Sequence, residues 1–280
     1  MSAFHAIEPA YSMAAFAVGV LVGLTGVGGG SLMTPILILL FGIPPATAVG
    51  TDLLHAAVTK TAGSFVHGRN RTIEWRIVRR LAAGSIPMTV VTIAALSAID
   101  INGSMARDLI NAVLALALVI TAVLLVFRNR FVARYSPQFG ALADNKIAAI
   151  TVAVGAVIGT IVSISSVGAG AIGVTALVLL YPKLPAARIV GSDIAHAVPL
   201  TLVAGIGHWF LGSIDFPVFT SLIVGSVPGI LLGSYAAVRV PDRALRLVLA
   251  VTLLVVATKL SLGLMAPPSD VVAVKTTTPR

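Results

Sequence analysis

Ala48-Val49-Gly50-Thr51-Asp52-Leu53-Leu54-His55-Ala56 returns later in the same chain as Ile189-Val190-Gly191-Ser192-Asp193-Ile194-Ala195-His196-Ala197, at a spacing of 141 residues (193 minus 52). The same spacing pairs Pro44 with Pro185, His67 with His208, and Gly84-Ser85-Ile86-Pro87 with Gly225-Ser226-Val227-Pro228. One residue out of step, Gly26-Val27-Gly28-Gly29-Gly30 pairs with Ser166-Val167-Gly168-Ala169-Gly170. Ungapped agreement between residues that are rare in apolar segments marks an internal repeat, and that repeat organises everything else.

The matched segments lie in a chain of 280 residues that is 58% hydrophobic and 10% charged, with mean hydropathy +1.03. Soluble domains carry roughly 25% charged residues, so the solvent for most of this surface is lipid. Charge-free runs reach the length of about 20 residues that a helix needs to cross a hydrocarbon core of ~30 Å. Hydrophobic segments fall near 12–43, 46–66, 77–97, 108–127, 147–181, 187–211, 216–238 and 244–264, four on each side of a basic stretch. The expected organisation is one transmembrane domain over 1–280. It comprises repeat A (12–127), a basic cytoplasmic linker (128–146), repeat B (147–264) and a polar tail (265–280). No Lys or Arg precedes the first apolar run, so a cleavable signal peptide is not expected and that run is read as retained.

Loop charge orients the repeats. If 12–43 crossed once, the basic loops 67–80 and 238–246 would lie on opposite faces. If the glycines at 26–30 break that segment in two, loops 67–80, 127–146, 182–188 and 238–246 share a face, with charges of +4, +3, +2 and +2. Loops 98–108 and 208–216 then carry −1 each on the other face. The positive-inside rule selects the second arrangement. The fold class expected is therefore an all-α polytopic membrane protein of two inverted-topology repeats. Each repeat is a Gly-broken helix pair plus three spanning helices, giving 8 to 10 membrane segments with both termini outside the cytoplasm. Whether the broken segment is a re-entrant hairpin or two tilted crossings stays open.

The net charge of +9 sits in these loops, so it speaks for topology and not for nucleic acid. With no Cys there is no disulfide or thiolate site. No phosphate-binding loop or paired-His zinc motif is present, so neither a cofactor nor a resident metal is expected, and transport would be channel-like, secondary or partner-driven. Self-association is left open.

Ionisable groups inside the apolar segments are costly and by default line a pathway. They are Asp52, His55, Lys60, Asp193 and His196, with His67 and His208 near segment ends. Lys60 has no matched partner, because Thr201 takes its place. The Asp/His pairs suit proton coupling, Lys60 suits a countercharge to an anion, and the pairs also allow a divalent-cation carrier. A structural alternative has each Asp capping a helix after the prolines. Helix starts beside flexible glycines present free N–H groups that favour oxyanions. That places Gly28, Gly29, Gly30, Ser31, Thr51, Ser166, Gly168, Gly170 and Ser192 at the expected substrate site. An intramembrane serine hydrolase built on Ser165, Ser166 and a membrane His is the remaining alternative.

Gly23-Leu24-Thr25-Gly26-Val27-Gly28-Gly29-Gly30-Ser31-Leu32-Met33-Thr34-Pro35, Ala48-Val49-Gly50-Thr51-Asp52, and His67-Gly68-Arg69 followed by Ile73-Glu74-Trp75 resemble the sulfite exporter TauE/SafE family over about residues 12–264. The resemblance implies secondary transport, often export, of small sulfur-containing anions such as sulfite or organosulfonates. It also implies a bacterial cytoplasmic membrane as the location and a small anion as the partner.

Overall fold

The computed structural model describes residues 7–25, 30–140, 142–168, 170–236 and 242–265. These residues form ten helices and no strand: α1 (Pro9–Thr25), α2 (Gly30–Leu39), α3 (Pro45–Arg69), α4 (Trp75–Ser97), α5 (Ser104–Gly140), α6 (Asp144–Ser165), α7 (Ala171–Leu180), α8 (Ala186–Phe210), α9 (Phe216–Ala236) and α10 (Asp242–Met265). Five of them are long and apolar enough to cross a membrane, and shorter apolar helices accompany them. The apolar run 12–43 is thus two helices, as is 147–181. At 1.5 Å per residue, α2 and α7 are about 15 Å long, half a hydrocarbon core. The long α5 continues through the basic stretch to Gly140.

The exposed surface departs from that of a soluble protein, although the interior is largely apolar. Leu40, Phe65, Phe210 and Leu231 are exposed, whereas Asp52, His55, Lys60, Asp193, His196 and His208 are buried. Lipid tolerates the first group, and only protein can solvate the second.

Small residues set the helix pairing. α1 lies along α9 and α6 along α4, so the first helix of each half packs on the fourth helix of the other. A Cβ on Gly225, Gly229 or Gly233 would strike the backbone of Ser12, Phe16 or Val20, and one on Gly155 or Gly159 would strike that of Leu81 or Ser85. The contacts correspond across the two halves. Gly225 meets the Ser12 carbonyl where Gly84 meets that of Val152, and Gly19 meets Ser226 where Gly159 meets Ser85. Backbones this close gain van der Waals contact that lipid cannot supply.

The same contacts give directions. Along α1 and α9 the numbering rises together (Ser12 with Gly225, Val20 with Gly233), so they are parallel, as are α4 and α6 (Leu81 with Gly155, Ser85 with Gly159). Along α3 and α8 it runs oppositely, Leu54 lying on Gly205 and Ile194 on Gly63. Pairing of His55 with Ser226 and of Gly50 with Ser213 fits α3 running with α9 and against α8. α1 and α3 therefore run the same way, which requires the chain to turn back through α2.

Candidate functional site

The central helices α3 and α8 begin after matched prolines, Pro44 and Pro185, whose fixed φ suits the position before a helix. Seven residues into α3, the carboxylate of Asp52 is fully enclosed. Thr34 Oγ1 of α2 donates to its Oδ2 at 2.6 Å, and Ser166 Oγ donates to the same oxygen at 2.9 Å. His55 Nδ1 lies 3.3 Å from Oδ1, one turn along the same face. The other ring nitrogen, Nε2, pairs with Ser226 Oγ of α9 at 2.8 Å. Among the described residues Asp52 thus bonds side chains and no backbone amide.

Asp193 holds the matched place in α8 and is differently treated. Its Oδ1 is buried with no hydrogen-bond partner among the described residues. It occupies space left by Gly173 of α7, where a Cβ would collide with it. His196 Nε2 pairs with Ser85 Oγ of α4 at 2.8 Å, matching the His55–Ser226 bond, but its Nδ1 has no partner among the described residues.

Lys60, 9% exposed, stands beyond Asp52 on α3, the helix that packs against the α8 of Asp193. No carboxylate of the described residues comes within ion-pair distance of it. It forms part of the wall of a narrow cleft between α1, α3 and α9, with His55, Thr59, Ser226 and Gly19. The matched Thr201 instead bonds back to the Ala197 carbonyl at 2.8 Å.

Other expected site residues fall elsewhere. Gly28 and Gly29 lie outside the described residues. Gly30 and Ser31 open α2, and the surroundings of the Ser31 side chain are likewise outside them. Ser166 is left-handed at φ 59, which ends α6 and aims its hydroxyl at Asp52. Gly168, at φ 115, and Gly170 make the turn into α7. Thr51 and Ser192 are spent on loop backbone, accepting from the amides of Asp215 at 3.0 Å and Glu74 at 2.8 Å. They anchor the loops before α9 and α4. His208 Nε2 bonds the Ser163 carbonyl at 2.9 Å, and His67 Nδ1 bonds Thr72 Oγ1 at 2.8 Å.

Two alternatives can be weighed on this geometry. Among the described residues no three His, Asp or Glu side chains converge as a metal would require. The order Ser226–His55–Asp52 copies the hydrogen-bond chain of an acyl-transfer triad, although the expected serines were Ser165 and Ser166. Ser226 lies within α9, whose own backbone amides are used by the helix and do not form an oxyanion hole. These serines act as clamps on the two histidines.

At one end of the bundle three basic loops meet. Arg76 and Arg80 pair with Asp144 at 2.5 and 2.6 Å, and Arg188 pairs with Glu74. At the matched place on the other half, Ser221 Oγ receives the Glu8 amide at 3.1 Å in place of an ion pair.

Comparison with known proteins adds three findings. The family model described as sulfite exporter TauE/SafE matches residues 11–260. A Bacillus subtilis (strain 168) protein named "Probable membrane transporter protein YjnA" is 39% identical over 245 residues, covering 87% of this chain and 95% of its own length. A second from the same organism, "Probable membrane transporter protein YdhB", is 25% identical over 221 residues, 78% of this chain and 86% of its own. No solved structure matches.

Proposed function

The chain belongs to the sulfite exporter TauE/SafE family, and from that membership and the buried charges we propose that it is a secondary transporter of a small sulfur-containing anion, sulfite or an organosulfonate. The relatives' names support membrane transport as the general activity. The observation that carries the anion reading is Lys60, a buried ammonium on a cleft with no carboxylate at ion-pair distance among the described residues. A cation held so deep requires a counter-ion, and a cargo anion supplies one.

The two halves are inverted-topology repeats in this reading. It is supported by the 141-residue spacing, by the matched glycine contacts and by the opposite directions of α3 and α8. The half-length α2 and α7 then enter from opposite faces, as in transporters whose site lies near the midplane. The face with three ion pairs is cytoplasmic, both termini lie outside, and the membrane is the bacterial cytoplasmic membrane. Cargo leaves the cell down its own gradient, and that movement is coupled to protons.

Purified protein in proteoliposomes, given labelled sulfite, sulfoacetate, taurine or methanesulfonate, is expected to carry at least one of them. Lys60→Gln is expected to abolish that flux. Absence of flux for all four under both a pH gradient and a voltage would contradict the proposal.

A further inference from the structure

The matched carboxylates have unequal surroundings, and the residues that make them unequal can be named. Asp52 receives Thr34, Ser166 and His55. The residue matching Thr34 is Thr175, which donates nothing to Asp193, and the one matching Ser166 is Gly26, which has no hydroxyl. Where Leu32 fills the first half, the second has Gly173, and Asp193 Oδ1 turns into that space. One carboxylate is thus fixed by donors, and the other is 2% exposed with a bare oxygen.

From this juxtaposition we propose that Asp193 alone is the proton-carrying group of the transport cycle, moving one proton with each monovalent anion bound at Lys60, while Asp52 is a fixed structural charge. The inference rests on the anion reading above. Charge balance drives it. In the empty protein Asp193 of α8 and Asp52 share the one buried ammonium, Lys60 of the packed helix α3. An entering anion adds a third negative group, and in a site of low dielectric that costs more than one ammonium offsets. The starting charge returns when Asp193 Oδ1 takes a proton, forming an O–H bond on the oxygen that has no donor among the described residues. When the anion leaves, that proton leaves with it and the empty state is restored. Anion and proton cross together, so their gradients set the direction and the membrane voltage does not.

The groups around Asp193 are accounted for on each packed element. From α3 come Lys60, Asp52 and His55, and α8 itself adds His196 and His208, with Arg188 in its first turn paired to Glu74. The ionisable residues of α4 and α6 (Arg76, Arg79 and Arg80; Asp144 and Lys146) sit at the starts of those helices, and α7 has none.

Methanesulfonate is the probe, because its charge is fixed over the working pH range, whereas sulfite binds protons itself. In proteoliposomes with an entrapped pH dye, the wild type and Asp52→Asn are expected to move about one proton per anion. In Asp193→Asn, flux driven by a pH gradient falls at least ~10-fold, and what remains carries no proton and responds to voltage. Infrared difference spectra in detergent give a second readout independent of flux. Adding methanesulfonate produces a carboxylic-acid carbonyl band in the wild type and in Asp52→Asn, and none in Asp193→Asn. Proton movement persisting in Asp193→Asn, or lost in Asp52→Asn instead, would overturn the assignment while leaving anion transport standing. A wild type that carries none of the anions in any gradient would remove the transport reading and this inference with it.

Discussion

Asp52 and Asp193 occupy matched positions 141 residues apart, yet the first sits in a closed set of hydrogen bonds and the second has an oxygen with none. The backbone frame around them is nearly symmetric: Gly50 abuts the Ser213 carbonyl as Gly191 abuts that of Thr72, and Thr51 anchors Asp215 as Ser192 anchors Glu74. The backbone contacts thus match between the halves while side chains at the centre differ. Three changes account for the divergence: Lys60 against Thr201, Leu32 against Gly173, and Gly26 against Ser166. A symmetric frame with an asymmetric centre suits a carrier that presents one site to two faces in turn.

The largest test of that asymmetry is Lys60. Lys60→Gln should lower anion flux by at least ~100-fold, while Thr201→Val in the matched place should change it by less than about twofold, both measured as initial rates in proteoliposomes. Equal losses would mean that the two halves contribute alike.

Next come the glycines that make the frame symmetric. Gly84→Leu and Gly225→Leu each push a side chain into the backbone of a helix from the other half. Overpacking of this kind costs about 1–3 kcal/mol, and the two variants should lose melting temperature in detergent by similar amounts. A large loss in one and none in the other would break the correspondence of the α4–α6 and α1–α9 pairs.

A smaller contrast separates the carboxylates. Thr34→Ala removes a donor from an enclosed carboxylate and should cost about 1–3 kcal/mol of stability. Thr175→Ala removes a hydroxyl that makes no bond to Asp193, and should stay within about 0.5 kcal/mol. The smallest effect belongs to the basic face. Arg188→Ala breaks an exposed pair with Glu74 and should cost at most about 1 kcal/mol, less at high salt, in the same melting assay.

Much of this was legible in the sequence, for identifiable reasons. The repeat carries rare residues without gaps, so Asp52/His55 and Asp193/His196 could be matched directly, and a stretch with glycines at 26, 28, 29 and 30 announced a helix break. The described part of α1 runs to Thr25 and that of α2 from Gly30, and residues 26–29 lie outside the described residues. The partners of the histidines were not legible. Ser85 and Ser226 were visible in the repeated Gly-Ser-x-Pro motifs, but periodicity gives the face of a helix and not which helix of the other half lies against it. Thr51 and Ser192 are expected at the substrate site because each places a hydroxyl donor beside an Asp/His pair. Their actual bonds go to loop amides, which depend on a chain reversal far along the sequence. The bare oxygen of Asp193 follows from Gly173, a glycine outside the repeated motif that carried no signal by itself.

The inverted frame proposed above relates the two halves, and the absence of Cys from the sequence makes it directly testable. Asn70 and Leu211 are matched residues that follow α3 and α8. Asn70→Cys and Leu211→Cys, introduced singly, can be labelled with a membrane-impermeant maleimide on intact cells and on inside-out vesicles. The account predicts that Cys at 211 reacts only from outside the cell and Cys at 70 only in inside-out vesicles. Reaction of both from the same side would contradict it.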